Sequence, residues 1–257
     1  MLPRTVWLGG TAVAWISPSA PVIVNVMTTT LITGANKGLG FEAARRLVES
    51  GHTVYLGARD RNRGTAAAAA IGARYVPLDV TDDLSVEAAV GQIADQADGL
   101  DVLINNAGIT GGGVAPADAT ADDLRRVYET NVFGLVRVTH AALPLLNKSD
   151  RPVIVNVASG LGSLGVVTDP QRMESQFPTL VYGSSKSAVV SLTVQYAKAL
   201  PAMRINVVDP GYTATDLNAH RGTQTLTEGT DAIVALATIG PDGPTGGFFD
   251  RFGTVPW

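Results

Sequence analysis

The sequence predicts an α/β fold, a doubly wound parallel sheet in a single domain. Three observations predict it. Short apolar, β-branched runs alternate with longer helical stretches, the order that places helices on both faces of a parallel sheet. The runs are apolar almost throughout, as strands covered on both sides must be. A glycine-rich turn joins the first run directly to the first helical stretch. The chain has 257 residues, 46% hydrophobic and 16% charged, enough apolar material for one large core and too little charge for disorder.

About seven strands are expected: Thr29–Thr33, Thr53–Ala58, Arg74–Pro77, Val102–Asn105, Pro152–Val157, Arg204–Val208 and Gly247–Asp250. Between them, Phe41–Ser50 reads as a helix stopped by Gly51, and the alanine-rich Thr65–Ile71 as one stopped by Gly72. Leu84–Ala97 follows a cap around Thr81 and Asp82, and Asp122–Leu146 and Tyr182–Leu200 are the longest helical stretches. Gly111–Gly113 is a flexible spot, Gly222–Gly229 reads as a mobile lid, and Gly240–Gly247 as a loop before the last strand. Residues 1–26 stand apart. They carry Arg4, a short apolar stretch from Val6 to Ile16, then small residues and prolines, a weak imitation of a signal peptide and too short to span a bilayer. Met27 opens a strand-first domain, so residues 1–26 are expected to be a disordered extension and 27–257 the domain.

Composition excludes several classes of function. No cysteine is present, which removes disulfides, thiolate catalysis and cysteine-ligated zinc. A net charge of −4 gives a nucleic-acid partner no support. His52, His140 and His220 show no metal-ligand spacing, so no metal is expected. No stable membrane association is expected either.

The glycine turn reads Thr33-Gly34-Ala35-Asn36-Lys37-Gly38-Leu39-Gly40. Glycines let backbone approach a pyrophosphate, and the amides and dipole of the following helix favour that anion. Its TGxxxGxG spacing differs from the GxGxxG dinucleotide fingerprint. It resembles the short-chain dehydrogenase/reductase family instead, and the resemblance runs from about Thr28 to the C-terminus. The resemblance implies a Rossmann-type domain, with Gly34, Asn36, Lys37, Gly38 and Leu39 at the cofactor.

The second strand ends Leu56-Gly57-Ala58-Arg59-Asp60. NAD-binding relatives carry an acid where Ala58 stands; a 2′-phosphate is met by arginine instead. Arg59, Arg63 and Lys37 are expected to converge on that phosphate, which favours NADP(H) and a likeness to NADPH-dependent carbonyl reductases. The family further implies that Asp79 and Val80 hold adenine, that Asn106, Ala107 and Gly108 of an NNAG motif touch the cofactor, and that Pro210, Gly211, Thr213 and Thr215 hold the carboxamide.

Tyr182 and Lys186 form a YxxxK pair, and on a helix such residues share one face. A phenol ordinarily titrates near 10, too high for a proton shuttle at neutral pH, and a neighbouring cation lowers it. Carbonyl reduction needs such a donor. The resemblance assigns Ser159 to the substrate oxygen, Asn131 to a water relay, and both Tyr182 and Lys186 to the cofactor, with Lys186 at the nicotinamide ribose as well as acting on Tyr182. The function implied is hydride transfer between NADPH and a ketone or aldehyde, or the corresponding alcohol, in the cytoplasm. An NADP-binding regulator of the same fold without turnover is the alternative. The insert between Ser159 and Tyr182 resembles that of monomeric carbonyl reductases, leaving monomer or homo-oligomer open. Val166, Val167, Phe177, Leu217 and Leu226 are candidate pocket residues for an apolar substrate, each equally readable as core.

Overall fold

A computed structural model describes residues 28–257; the expectation for residues 1–26 falls outside them. The strands are β1 (Thr29–Thr33), β2 (Thr53–Ala58), β3 (Arg74–Pro77), β4 (Val102–Asn105), β5 (Val153–Val157), β6 (Arg204–Val208), β7 (Phe248–Asp250) and β8 (Gly253–Thr254). They form one sheet in the order β3-β2-β1-β4-β5-β6-β7-β8. Every pairing is parallel except the terminal β7–β8 hairpin. The chain runs outward in one direction from β1 and in the other from β4, so a crevice opens between their C-terminal ends, where doubly wound sheets bind ligands.

The helices are α1 (Gly38–Glu49), α2 (Arg61–Ile71), α3 (Asp83–Gln96), α4 (Ala121–Tyr128), α5 (Gly134–Leu146), α6 (Leu164–Val167), α7 (Leu180–Ala199) and α8 (Leu226–Ala237). Successive strand residues point to opposite faces. Ile32, Leu56, Ile104, Val155 and Val208 thus pack beneath Leu47 of α1 and Ile233 and Leu236 of α8. Leu31, Tyr55, Leu103, Ile154 and Ile205 pack beneath Ile93 of α3, Val138 and Leu145 of α5 and Ala197 of α7. Both faces are covered, which is why the strands carry little polar alternation.

Three features depart from the sequence reading. The stretch read as one helix over Asp122–Leu146 is broken by a π turn at Glu129–Phe133, between α4 and α5. The segment read as a lid at Gly222–Gly229 contains the first turn of α8, held by a reciprocal cap between Thr225 and Glu228. The terminal β8 strand was not expected, and it returns the chain to the sheet edge.

Candidate active site

The turn after β1 fits a dinucleotide phosphate. Gly34 and Gly38 both take positive φ, at 63° and 57°. Gly40 admits no side chain: a Cβ there would lie 2.5 Å from the Asn106 amide nitrogen and 2.8 Å from the Gly34 carbonyl oxygen. Lys37 is the N-cap of α1 but gives it no side-chain cap, so the first amides of the helix remain open to an anion. The turn is braced from β4. Thr33 Oγ1 accepts from the Asn106 and Ala107 amides at 3.0 and 2.9 Å, and Asn106 Nδ2 donates to the carbonyls of Thr33 and Gly34. This places Asn106, Ala107 and Gly108 against the glycine turn. The Thr213–Thr215 segment closes from the other side, with the Thr215 methyl 3.8 Å from a Cβ placed on Gly38. Thr213 is buried and donates to the Pro210 carbonyl at 2.9 Å.

The three expected phosphate cations are each paired with a carboxylate. Lys37 donates to Asp216 at 2.7 Å, Arg63 pairs with Asp60 at 2.9 Å, and Arg59 lies 4.0 Å from Asp79. Each faces a different carboxylate, because a side chain standing in solvent settles on the nearest opposite charge. Asp60 is also the N-cap of α2, accepting from the Arg63 amide, which holds Arg63 back toward its own helix. Arg59 has the loosest of the three pairings. Asp79 accepts from Thr81 through its other oxygen, and the Val80 carbonyl is held by Arg137 at 2.7 Å.

The YxxxK pair lies in the first turns of α7. Tyr182 is half-buried and Lys186 buried, with the Lys186 ammonium 5.7 Å from the centre of the Tyr182 ring and donating to the Val157 carbonyl at 2.8 Å. Ser159 follows β5 in extended backbone and is the N-cap of a single 3₁₀ turn, Gly160–Gly162. That turn presses on α7: a Cβ on Gly162 would lie 2.6 Å from the Lys186 carbonyl carbon. The approach sets the Ser159 hydroxyl near the Tyr182 phenol. The same segment is tied to the C-terminus, where the Ser163 hydroxyl donates to the Pro256 carbonyl and the Gly165 amide donates to Trp257.

Asn131 sits in the π turn, a widened turn often found at functional sites. Its Oδ1 accepts from the Ile109 amide at 2.8 Å, and its Nδ2 donates to the Ile109 carbonyl and to Ser185 Oγ. Its side chain therefore fastens the segment that follows Gly108 to α7. Asn131 Oδ1 and Lys186 Nζ each lie 3.4 Å from the place a Cβ would take on Gly108. Ser159, Tyr182, Lys186 and Asn131 are thus gathered at the C-terminal ends of β4 and β5.

The electrostatics differ from the expectation for an isolated Tyr–Lys pair. Burial pushes the Tyr182 phenol above its ordinary range, the Asp209 charge pushes it further, and the Ser159 hydroxyl pulls it back. Burial lowers Lys186 to about 8, so the cation meant to acidify the phenol is itself weakened. Desolvation is the leading cause of both shifts.

Sequence reasoning missed several residues here. Asn156 receives a 2.9 Å hydrogen bond from Asn105, its register partner on β4, and donates to Thr193 of α7. Ser185 anchors Asn131, and Asp209 follows β6 beside the Ser159–Gly160 turn. An asparagine inside an apolar strand is a signal for Asn156; the other two announce themselves only through tertiary contacts. Of the pocket candidates, Val166 is buried in the core with Val190, Val207 and Phe248, whereas Phe177 and Leu217 are exposed.

The family model described as short chain dehydrogenase matches residues 28–226, most of the described chain. This protein belongs to the short-chain dehydrogenase family. It is 36% identical to the short-chain dehydrogenase anuI of Penicillium roqueforti, across 82% of this chain and 88% of that protein. It is 32% identical to the (−)-isopiperitenone reductase of Mentha piperita, across 89% of this chain and 98% of that one. Among solved structures, the NADPH-bound carbonyl reductase from chicken fatty liver superposes with a TM-score of 0.80 at 25% identity, covering 90% of this chain and 99% of that chain. The protein is accordingly an oxidoreductase of Rossmann-type fold. Among its described residues, no helix is long and apolar enough to cross a membrane.

Proposed function

We propose that this family member reduces ketones or aldehydes with NADPH, and oxidises the corresponding alcohols in reverse, with Tyr182 as the general acid and base. The observation that carries the reading is the convergence of Ser159, Tyr182, Lys186 and Asn131 at the rim of β4 and β5, opposite a glycine turn whose helix amides are uncapped. Relatives named as (−)-isopiperitenone reductase and salutaridine reductase support a carbonyl substrate.

When bound, the dinucleotide supplies the hydride. Gly34, Asn36, Gly38 and Leu39 lie where its pyrophosphate would rest, on the open amides of α1. Arg59 takes the 2′-phosphate, the least firmly paired of the three cations, with Arg63 and Lys37 reaching it once they leave Asp60 and Asp216. Asp79 and Val80 border the adenine; Pro210, Gly211, Thr213 and Thr215 border the carboxamide. The Ser159 hydroxyl orients the substrate oxygen, and the Tyr182 phenol gives it a proton. Lys186 supplies the positive charge on the ribose side of the phenol, and Asn131 fixes α7 relative to Gly108. The reading places the enzyme in the cytoplasm, where NADPH is held as a reductant.

A panel of apolar ketones, aldehydes and quinones, followed by absorbance of the reduced cofactor, tests the proposal. Turnover with NADPH exceeding that with NADH by about tenfold or more is expected, the value of one charge-assisted contact to the phosphate. Equal rates with the two cofactors would remove the NADP assignment, and no turnover with either would favour a cofactor-binding protein without catalysis.

A further inference from the structure

Asp209 is a carboxyl group that no motif accounts for. It follows β6, directly before the Pro210–Gly211 turn, and is 6% exposed. Its Oδ1 accepts from the Gly211 amide at 2.9 Å, and its backbone amide donates to the Phe249 carbonyl of β7 at 2.8 Å. Its Oδ2 faces the turn that follows Ser159, 2.8 Å from the place a Cβ would occupy on Gly160. Glu174 Oε1 reaches the same place at 3.1 Å from the insert between Ser159 and Tyr182. One carboxyl therefore touches the loop expected to hold the carboxamide and the turn that carries Ser159, and its charge is felt at the Tyr182 phenol.

We propose that Asp209 is a positioning residue for the Tyr182 proton donor, joining the Ser159–Gly160 turn to the Pro210–Gly211 loop and setting, through its own charge, the pH range in which Tyr182 exchanges its proton. The inference rests on the reading of Tyr182 as the acid and base. The charged groups around Asp209 are few. Tyr182 comes from α7, Glu174 from the 3₁₀ turn Met173–Gln176, Asp250 from the end of β7, and Arg172 from just before that turn, where it pairs with Glu174 at 3.4 Å. Burial first, then the nearby Glu174 and Asp250, hold the Asp209 carboxyl above the ordinary aspartate range, against the pull of the Gly211 and Gly160 amides. Asp209 thus stays neutral to higher pH than a surface aspartate. Once ionised, it opposes formation of the Tyr182 phenolate.

The test is the pH profile of alcohol oxidation, whose acid limb reports the phenolate. Asp209→Asn keeps the hydrogen-bonding shape and removes the charge, so the limb is expected to move to lower pH by about half a unit or more. A role in structure alone would lower turnover at every pH and leave the limb in place, and that result would overturn the proposal. Carbon-13 labelling of aspartate carboxyls in the wild-type protein gives a second measurement that needs no variant to fold. The buried carboxyl is expected to be ionised over the pH range of the acid limb; a buried aspartate still protonated throughout that range would overturn the proposal. Tyr182→Phe separates the two readings. If it retains turnover, both fall; if it is inactive while the Asp209→Asn limb is unmoved, only the role of Asp209 falls.

Discussion

At the rim of β4 and β5, Lys186, Asn131 and Ser185 are almost wholly enclosed, and each is bonded to backbone or to a neighbouring side chain. At the other end of the crevice, the side chains of Lys37, Arg63 and Arg59 are 57%, 66% and 69% exposed, each beside its own carboxylate. The first region is assembled before any ligand arrives. The second must exchange partners to receive one. Exposed ion pairs are worth little on their own, so that exchange costs about 1 kcal/mol or less per pair. On the proposed reading, chemistry belongs to the enclosed groups and cofactor choice to the exposed ones, and substitutions in the two regions should fail in different ways.

The largest effect is expected at the enclosed end. Lys186→Met removes a buried ammonium without leaving an unpaired charge, so the fold should persist while kcat falls by about a hundredfold or more. Steady-state kinetics beside a thermal melt checks this, and a variant that simply unfolds would instead make Lys186 a structural residue. A smaller effect is expected at the exposed end. Arg59→Ala should raise KM for NADPH by about tenfold and leave NADH kinetics unchanged. Equal effects on both cofactors would mean that Arg59 does not meet the 2′-phosphate.

The smallest effect lies away from both ends, at the N-terminus of α8. The Glu228 carboxylate accepts from the Thr225 amide and pairs with Arg251, and these contacts hold it at about 2, well below an ordinary glutamate. A group lowered in the folded state adds stability that is complete above its unfolded value and is lost as pH falls toward the folded one. Melting temperature should therefore drop between roughly pH 4.5 and pH 2 in part because of Glu228, and Glu228→Gln should flatten that drop without changing turnover at neutral pH.

The same contrast governs what the sequence disclosed. Strand positions were legible because short apolar runs rich in β-branched residues, such as Val102–Ile104 and Val153–Val155, suit strands buried on both faces. The site was legible where residue spacing itself carries the chemistry: the glycine turn, and Tyr182 with Lys186 on one helical face. The π turn at Glu129–Phe133 was not, because one extra residue in a helical turn leaves the apolar pattern nearly unchanged. Helix α8 was masked by Gly229 and its threonines, although the Thr225-to-Glu228 spacing is a capping-box signal. Asp209 was invisible for a different reason. Its importance comes from Gly160, Glu174 and Tyr182, which reach it from distant parts of the chain.

On the proposed reading Tyr182 moves the proton and contributes little to the affinity for the dinucleotide. Titrating NADPH into the Tyr182→Phe variant, and following its turnover in the same preparation, tests this most directly. The account predicts a dissociation constant within about threefold of wild type and turnover reduced by about three orders of magnitude. Turnover near the wild-type rate, with binding intact, would contradict it.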